Sequence, residues 1–187
     1  MSIALAAFLV MLGAANRLVD HLPNAVALGA ISLYAGARLP RRWAFAVPLA
    51  AMLVSDAVID RHYGLGLGGF ASPVRLVTYV TFGLIALAGG AFRSGVGAAG
   101  RGGLSVAGST LFFLASNFAV WASFSGEGGY SKTPAGLASC YLMGLPFYRN
   151  GLIADLVGTA LLFGLEPASI RALGRAKQAP AAPEIAG

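Results

Sequence analysis

The chain reads as six long apolar runs separated by short breaks rich in glycine, proline and charge. The pattern predicts helices over about 2–16, 24–38, 43–60, 74–92, 104–124 and 150–166. A helix needs roughly 20 apolar residues to cross a bilayer, so the first run is short for a span. Pro23 ends any helix in the NRLVDHLPN break, and RLPRR makes a compact basic turn before the third run. Pro48 predicts a kink in the third helix. The break at 61–73 is glycine-rich, holds His62, Tyr63 and Phe70, and closes on Ser72-Pro73; the break at 93–103 reads as a plain connector.

The most informative stretch is Tyr130 to Gly164, YSKTPAGLASCYLMGLPFYRNGLIADLVGTALLFG. Thr133-Pro134 is a helix start, because threonine caps free N–H groups and proline is preset for the first turn. Pro146 stops or kinks that segment. This predicts a short outer helix between helices five and six, with Arg149-Asn150 opening helix six and Asp155 in its first third. A charge in so apolar a helix costs free energy unless it faces a partner or a wet cavity.

Composition sharpens this picture. Of 187 residues, 57% are hydrophobic and only 11% charged, with 26 glycines. Soluble domains carry about a quarter charged residues, so this chain lacks the material for a soluble surface. Glycine suits close helix approach in lipid. The formal net charge is +6, but the basic residues flank apolar runs instead of sharing a polar face, which excludes nucleic acid as a partner. The single cysteine, Cys140, allows neither an internal disulfide nor a multi-cysteine metal site. No basic residue precedes the first apolar run, a poor fit to a cleaved signal peptide. Six spans put both termini on one side. Eight basic residues (Arg38, Arg41, Arg42, Arg93, Arg101, Arg171, Arg175 and Lys177) share that side, against five on the other (Arg17, Arg61, Arg75, Lys132 and Arg149). The excess of basic residues predicts cytoplasmic termini in a bacterial inner membrane. The expected organisation is one six-helix transmembrane domain over 1–170, then a basic and Ala/Pro-rich cytoplasmic tail over 171–187.

The same orientation collects the polar residues of the spans. Asp56, Asn117, Trp121 and Asp155 fall in the outward half, and the inner half is nearly free of ionisable groups. Polarity on one side suits a blind outward pocket better than a proton path through both halves. Each residue also has a plainer reading. Asp56 and Asp155 fit ion pairs with Arg75 and Arg149 that staple helices, and Asn117 fits a bond to a neighbouring helix. Phe113, Asn117 and Trp121 share a face at a spacing of four, but Trp121 and Trp43 also fit an aromatic belt. Cys140 fits a small buried hydrophobe. His21, His62, Asp20 and Asp60 match no metal motif, and GLGLGG at 64–69 lacks the strand, helix and lysine of a phosphate loop. Neither a catalytic constellation nor a cofactor site is expected.

Four runs carry a resemblance: HLPNAVALGAISLYAGA, VPLAAMLVSDAVI, STLFFLASNFAVW and the 130–164 stretch, where Lys132-Thr133, Cys140-Tyr141, Pro146-Phe147, Arg149-Asn150 and Asp155 match at their spacing. Over most of 16–164 the chain resembles a bacterial family of small uncharacterised membrane transport proteins. That family is similar in layout to the substrate-binding S components of energy-coupling factor (ECF) vitamin transporters. The resemblance implies an all-α, S-component-like bundle of six transmembrane helices. It also implies capture of a vitamin-like small molecule in an outward pocket covered by the loops 17–23, 61–73 and 125–149, and an ECF-type coupling subunit with ATPases as partner. One departure is that helix one has no two alanines four apart, where S components dock that subunit.

Two functions are therefore expected from this sequence. The first is solute uptake, with a pocket of Asp56, Asn117, Trp121 and Asp155 and a lid of Tyr130, Lys132, Tyr141, Tyr148 and Arg149. Carboxylates and aromatics suit a flat ligand with donor groups, whereas a helix start at Arg149-Asn150 suits an anionic group. The second is a non-transporting accessory subunit of a larger membrane complex, whose polar residues are only staples. An enclosed polar cavity beneath 130–149 separates the two.

Overall fold

The shortest α-helix among the described residues is the one around which the others pack. Leu28–Arg38 (α2) is buried at every position from Leu28 to Ala37, as expected of a helix apolar all round. Its end is set locally: Leu39 precedes Pro40, which disfavours helical backbone at that position, and Leu39 is extended at φ −107°, ψ 153°. Its start comes after a turn in which Asn24 takes a left-handed φ of 62°, a conformation asparagine tolerates better than most residues. Helix formation therefore begins at Leu28, four residues later than the hydropathy pattern predicts.

The computed structural model describes residues 2–19, 22–65, 72–94, 96–124 and 129–178. Around α2 stand α1 (Ser2–Leu18), α3 (Arg41–His62), α4 (Pro73–Ala88) running into a 3-10 helix (Gly89–Ser94), α5 (Ala98–Ser123) and α6 (Pro134–Gln178). Among the described residues all regular structure is helical. The helices Arg41–His62, Pro73–Phe92 and Ala98–Ser123 are each long and apolar enough to cross a membrane. Large apolar side chains such as Phe8, Met11, Val80, Phe118, Leu142 and Leu161 point outward, as on a surface facing lipid. This is a membrane protein.

Close backbone contact fixes α2 against α4. A Cβ on Gly36 would lie 1.9 Å from the Ala86 carbonyl oxygen, and one on Gly89 would lie 2.3 Å from that of Leu33. At one end of the bundle Phe163 of α6 meets Tyr34 and Phe92 edge-on, with the guanidinium groups of Arg38 and Arg101 at 5.5 and 5.1 Å from its ring. At the other end Arg17, closing α1, reaches the last turns of α3.

Two expectations are corrected here. Pro146 neither stops nor separates a helix, so there is no distinct short outer helix and no helix start at Arg149-Asn150; α6 runs unbroken from Pro134 past Pro167 to Gln178. The reason is tertiary. Antiparallel contacts with α5 continue on both sides of the proline. The Tyr141 hydroxyl donates to the Leu114 carbonyl (2.9 Å), Tyr148 and Thr110 share a hydrogen bond (2.8 Å), and Ser109 bonds Asp155 (2.7 Å). This packing holds a backbone that proline alone would loosen. Second, the 93–103 connector is largely helical, because α5 starts at Ala98. The Thr133-Pro134 start holds: the Gly136 N–H donates to Thr133 Oγ1 at 3.2 Å.

Candidate functional site

An 11-residue α2 is about 16 Å long at 1.5 Å per residue, half the thickness of a bilayer's apolar core. The space beyond its N-terminus is filled only in part. There, at the Arg17 end of the bundle, lies a cavity of about 440 Å³, within the roughly 300–1,000 Å³ typical of ligand pockets.

Its walls are aromatic. Phe82 of α4 stacks on Phe112 of α5 at 4.8 Å, and Phe113 of α5 lies 4.8 Å from Tyr148 of α6; all four line the cavity, with Phe147 beside them. The turn before α2 covers one side. It is tied to α6 by Asn24 Nδ2 donating to the Phe147 carbonyl (3.3 Å) and by Asn150 Nδ2 donating to that of Pro23 (3.0 Å).

Among the described residues, two charged side chains line the cavity, Arg17 and Asp155. Asp155 is buried, 6% exposed. Its Oδ1 accepts the Ala30 N–H at 3.0 Å and its Oδ2 the Ser109 hydroxyl at 2.7 Å. Ala30 is in the first turn of α2, whose preceding residue, Ala27, offers no side-chain cap. Asp155 thus caps α2 from another helix, where the positive end of the helix dipole favours a carboxylate. Gly29 makes the approach possible, since a Cβ there would lie 2.4 Å from Asp155 Oδ2. Asn16 assists from α1, accepting the Ala27 N–H at 2.8 Å.

Arg17 belongs to a separate set of charges. It donates to Asp56 Oδ1 (2.6 Å) and to Ser55 Oγ (2.7 Å). Arg75 donates to both oxygens of Asp60 (2.6 and 2.8 Å), with its Nε 3.3 Å from Asp56 Oδ2. The Tyr79 hydroxyl donates to the same Asp56 oxygen at 2.7 Å. Asp56 and Asp60 are only 2% and 3% exposed, so two buried acids meet two bases and join α1, α3 and α4.

Of the residues expected at a site, Asn117, Tyr148 and Asp155 line the cavity. Asp56 lies in the ion network instead, paired with Arg17 as well as with the expected Arg75. Asp155 does not pair with Arg149, which is exposed on α6. Trp121 Nε1 donates to the Ser131 carbonyl (2.9 Å), and Lys132, 5.2 Å from the Trp121 ring, donates to the carbonyls of Trp121 and Phe124. With the half-buried Tyr130 they lie where the end of α5 meets the α5–α6 connection, away from the cavity lining. Tyr141 bonds α5, and Asn150 holds the turn before α2. Cys140 is buried and donates to the Asn117 carbonyl at 3.4 Å. His21, Asp20 and residues 66–71 of the 61–73 loop lie outside the described residues; among those described, no three His, Cys, Asp or Glu side chains cluster as metal ligands would.

The polar cavity residues not expected as ligand contacts are Arg17, Asn24, Thr78, Ser109 and Ser116. One signal was present in the sequence. Ser105 and Ser109 are four apart on α5, as Asp155 and Thr159 are on α6, and the pairs meet: Ser109 with Asp155, and Thr159 with Ser105 at 3.3 Å. The rest required the path of the turn before α2.

Comparison with known proteins returns no match among curated proteins or among solved structures. Residues 1–175, nearly the whole chain, match a family of unknown function, DUF6580, and this protein belongs to that family.

Proposed function

We propose that this protein is a solute-uptake protein of the bacterial inner membrane that captures a small, vitamin-like molecule with a flat ring body. The observation that carries this reading is the 440 Å³ cavity, with stacked aromatic walls and a few inward polar groups, beneath residues 144–155 of α6. Small-molecule sites have this make-up, an apolar lining with a small number of placed polar groups. A subunit whose polar residues served only as staples would need no such space.

In this reading the six helices cross the bilayer in an S-component-like bundle with both termini cytoplasmic. The roughly 16 Å of α2 is completed by the non-helical turn from Pro23 to Ala27. Energy for release inward comes from a partner, an ECF-type coupling subunit with its ATPases, or from a gradient.

The test is native mass spectrometry of the full chain purified in mild detergent. The expected result is one bound small molecule per protein, lost in Ser116→Phe, which fills the cavity. An empty protein that co-purifies with other membrane subunits overturns the reading in favour of an accessory role.

A further inference from the structure

We infer that the captured molecule is an organic cation, a flat ring carrying a positively charged nitrogen group that Asp155 receives. The inference rests on the capture reading and specifies its ligand class. It comes from an inventory of charge. Among the described residues Arg17 and Asp155 are the charged side chains of the lining, and they differ in what remains available to a ligand.

The charge of Arg17 is spent. One of its terminal nitrogens is 2.6 Å from Asp56, and the other bonds Ser55 Oγ and the Met52 carbonyl. With Arg75 held by Asp60 and Asp56, two bases balance two acids among the described residues. An anionic ligand that sought Arg17 would have to compete with a buried carboxylate already in contact.

The charge of Asp155 is not spent. Among the described residues it forms no ion pair. Its partners are N–H groups at the start of α2 and one hydroxyl, all neutral. The Ser109 hydroxyl has a single proton, and the Ser105 carbonyl, 3.0 Å away, competes for it. A carboxylate offers about four acceptor positions, so acceptor capacity remains, and the group borders the cavity. Hydrogen bonds between charged partners are roughly twice as strong as neutral ones, which makes a cationic donor the best complement for that capacity. The walls agree with this choice. Aromatic rings carry the negative side of their quadrupole on their faces, which attract cations and stack on flat rings, and Phe82, Phe112, Phe113, Phe147 and Tyr148 line the cavity. Among the described residues, an acid without an ion pair, a neutralised base and an aromatic lining together select a ring-bearing cation over its neutral or anionic counterpart.

The experiment is a calorimetric titration of the full chain in detergent with three probes of matched shape: benzamidinium, benzamide and benzoate. The expected result is that benzamidinium binds at least about tenfold tighter than benzamide, with benzoate weakest. Asp155→Asn then removes most of the benzamidinium advantage and leaves benzamide within about twofold. The charge ranking is read on the unaltered protein and does not depend on how the variant folds. Tighter binding of benzamide or benzoate overturns the cation assignment while the capture reading stands. Equal benzamidinium affinity in Asp155→Asn also overturns it, because the cation then sits elsewhere. Binding of none of the three overturns it too, and the capture reading is then decided separately by whether the purified protein carries a molecule of its own.

Discussion

Asp56 and Asp155 are both buried aspartates in apolar helices, yet their surroundings are opposite. Asp56 contacts two guanidinium groups and a tyrosine hydroxyl. Asp155 contacts a helix N-terminus and a serine. Removing a buried charge from water is costly, and only an opposite charge with good hydrogen bonds offsets it fully. At Asp56 the offset is built in, so the residue is a structural tie between α1, α3 and α4. At Asp155 the offset is partial and the remainder faces a cavity. A buried charge whose partners are all internal reports on stability, and one left partly open toward a cavity reports on ligand.

The largest test of this contrast is Asp56→Ala. It leaves Arg17 without its carboxylate and breaks the tie between helices, so we expect a loss of about 3–5 kcal/mol in a denaturing-detergent titration. A loss below about 1 kcal/mol would remove the structural role assigned to Asp56. Tyr79→Phe deletes a single hydroxyl bonded to the same charged oxygen. About 1.5–3 kcal/mol is expected, the range for hydrogen bonds to charged groups, with little change in ligand affinity.

On the other side of the comparison, Gly29→Ala places a methyl group against Asp155 and forces the carboxylate from the first turn of α2. Overpacking of this kind costs about 1–3 kcal/mol, and the variant should also lose bound ligand in native mass spectrometry. The smallest expected effect on stability is the most discriminating. In Asp155→Asn the amide oxygen still accepts from Ala30. The Ser109 hydroxyl turns fully to Ser105 and accepts from the new amide. Every partner stays satisfied and a buried charge disappears. We expect stability within about 1 kcal/mol of the parent, where one lost neutral hydrogen bond would lie, alongside weakened binding of a cation. If Asp155→Asn were as damaging as Asp56→Ala, the two aspartates would be equivalent staples and the contrast would fail.

Much of the site was legible residue by residue and not as a set. Asn117 and Asp155 stood out because polar groups are conspicuous in an apolar helix, Tyr148 was expected in the lid, and all three share the cavity. Asp56 stood out for the same reason and lies in the ion network instead. Polarity marks which residues must find a partner without saying which partner that is. Trp121 was placed in the pocket for its face on α5 and Tyr130 and Lys132 in a lid for their place in the long connection, but a connection that bonds back to the end of α5 can close its own ends without covering a cavity.

The sequence by itself determined what depends on neighbours along the chain. It set the membrane class through the deficit of charge, and the helix starts at Ser72-Pro73 and Thr133-Pro134 through proline and capping chemistry. Leu39 before Pro40 similarly marked the end of α2. Tertiary structure alone decided what depends on distant residues. Pro146 lies within a continuous helix because α5 supports both sides of it. Arg17 belongs to Asp56, 39 residues away, and Asp155 to Ala30, 125 residues away. An ion pair or a cap is chosen by distance through space, and that distance exists only once α2 is enclosed by its neighbours.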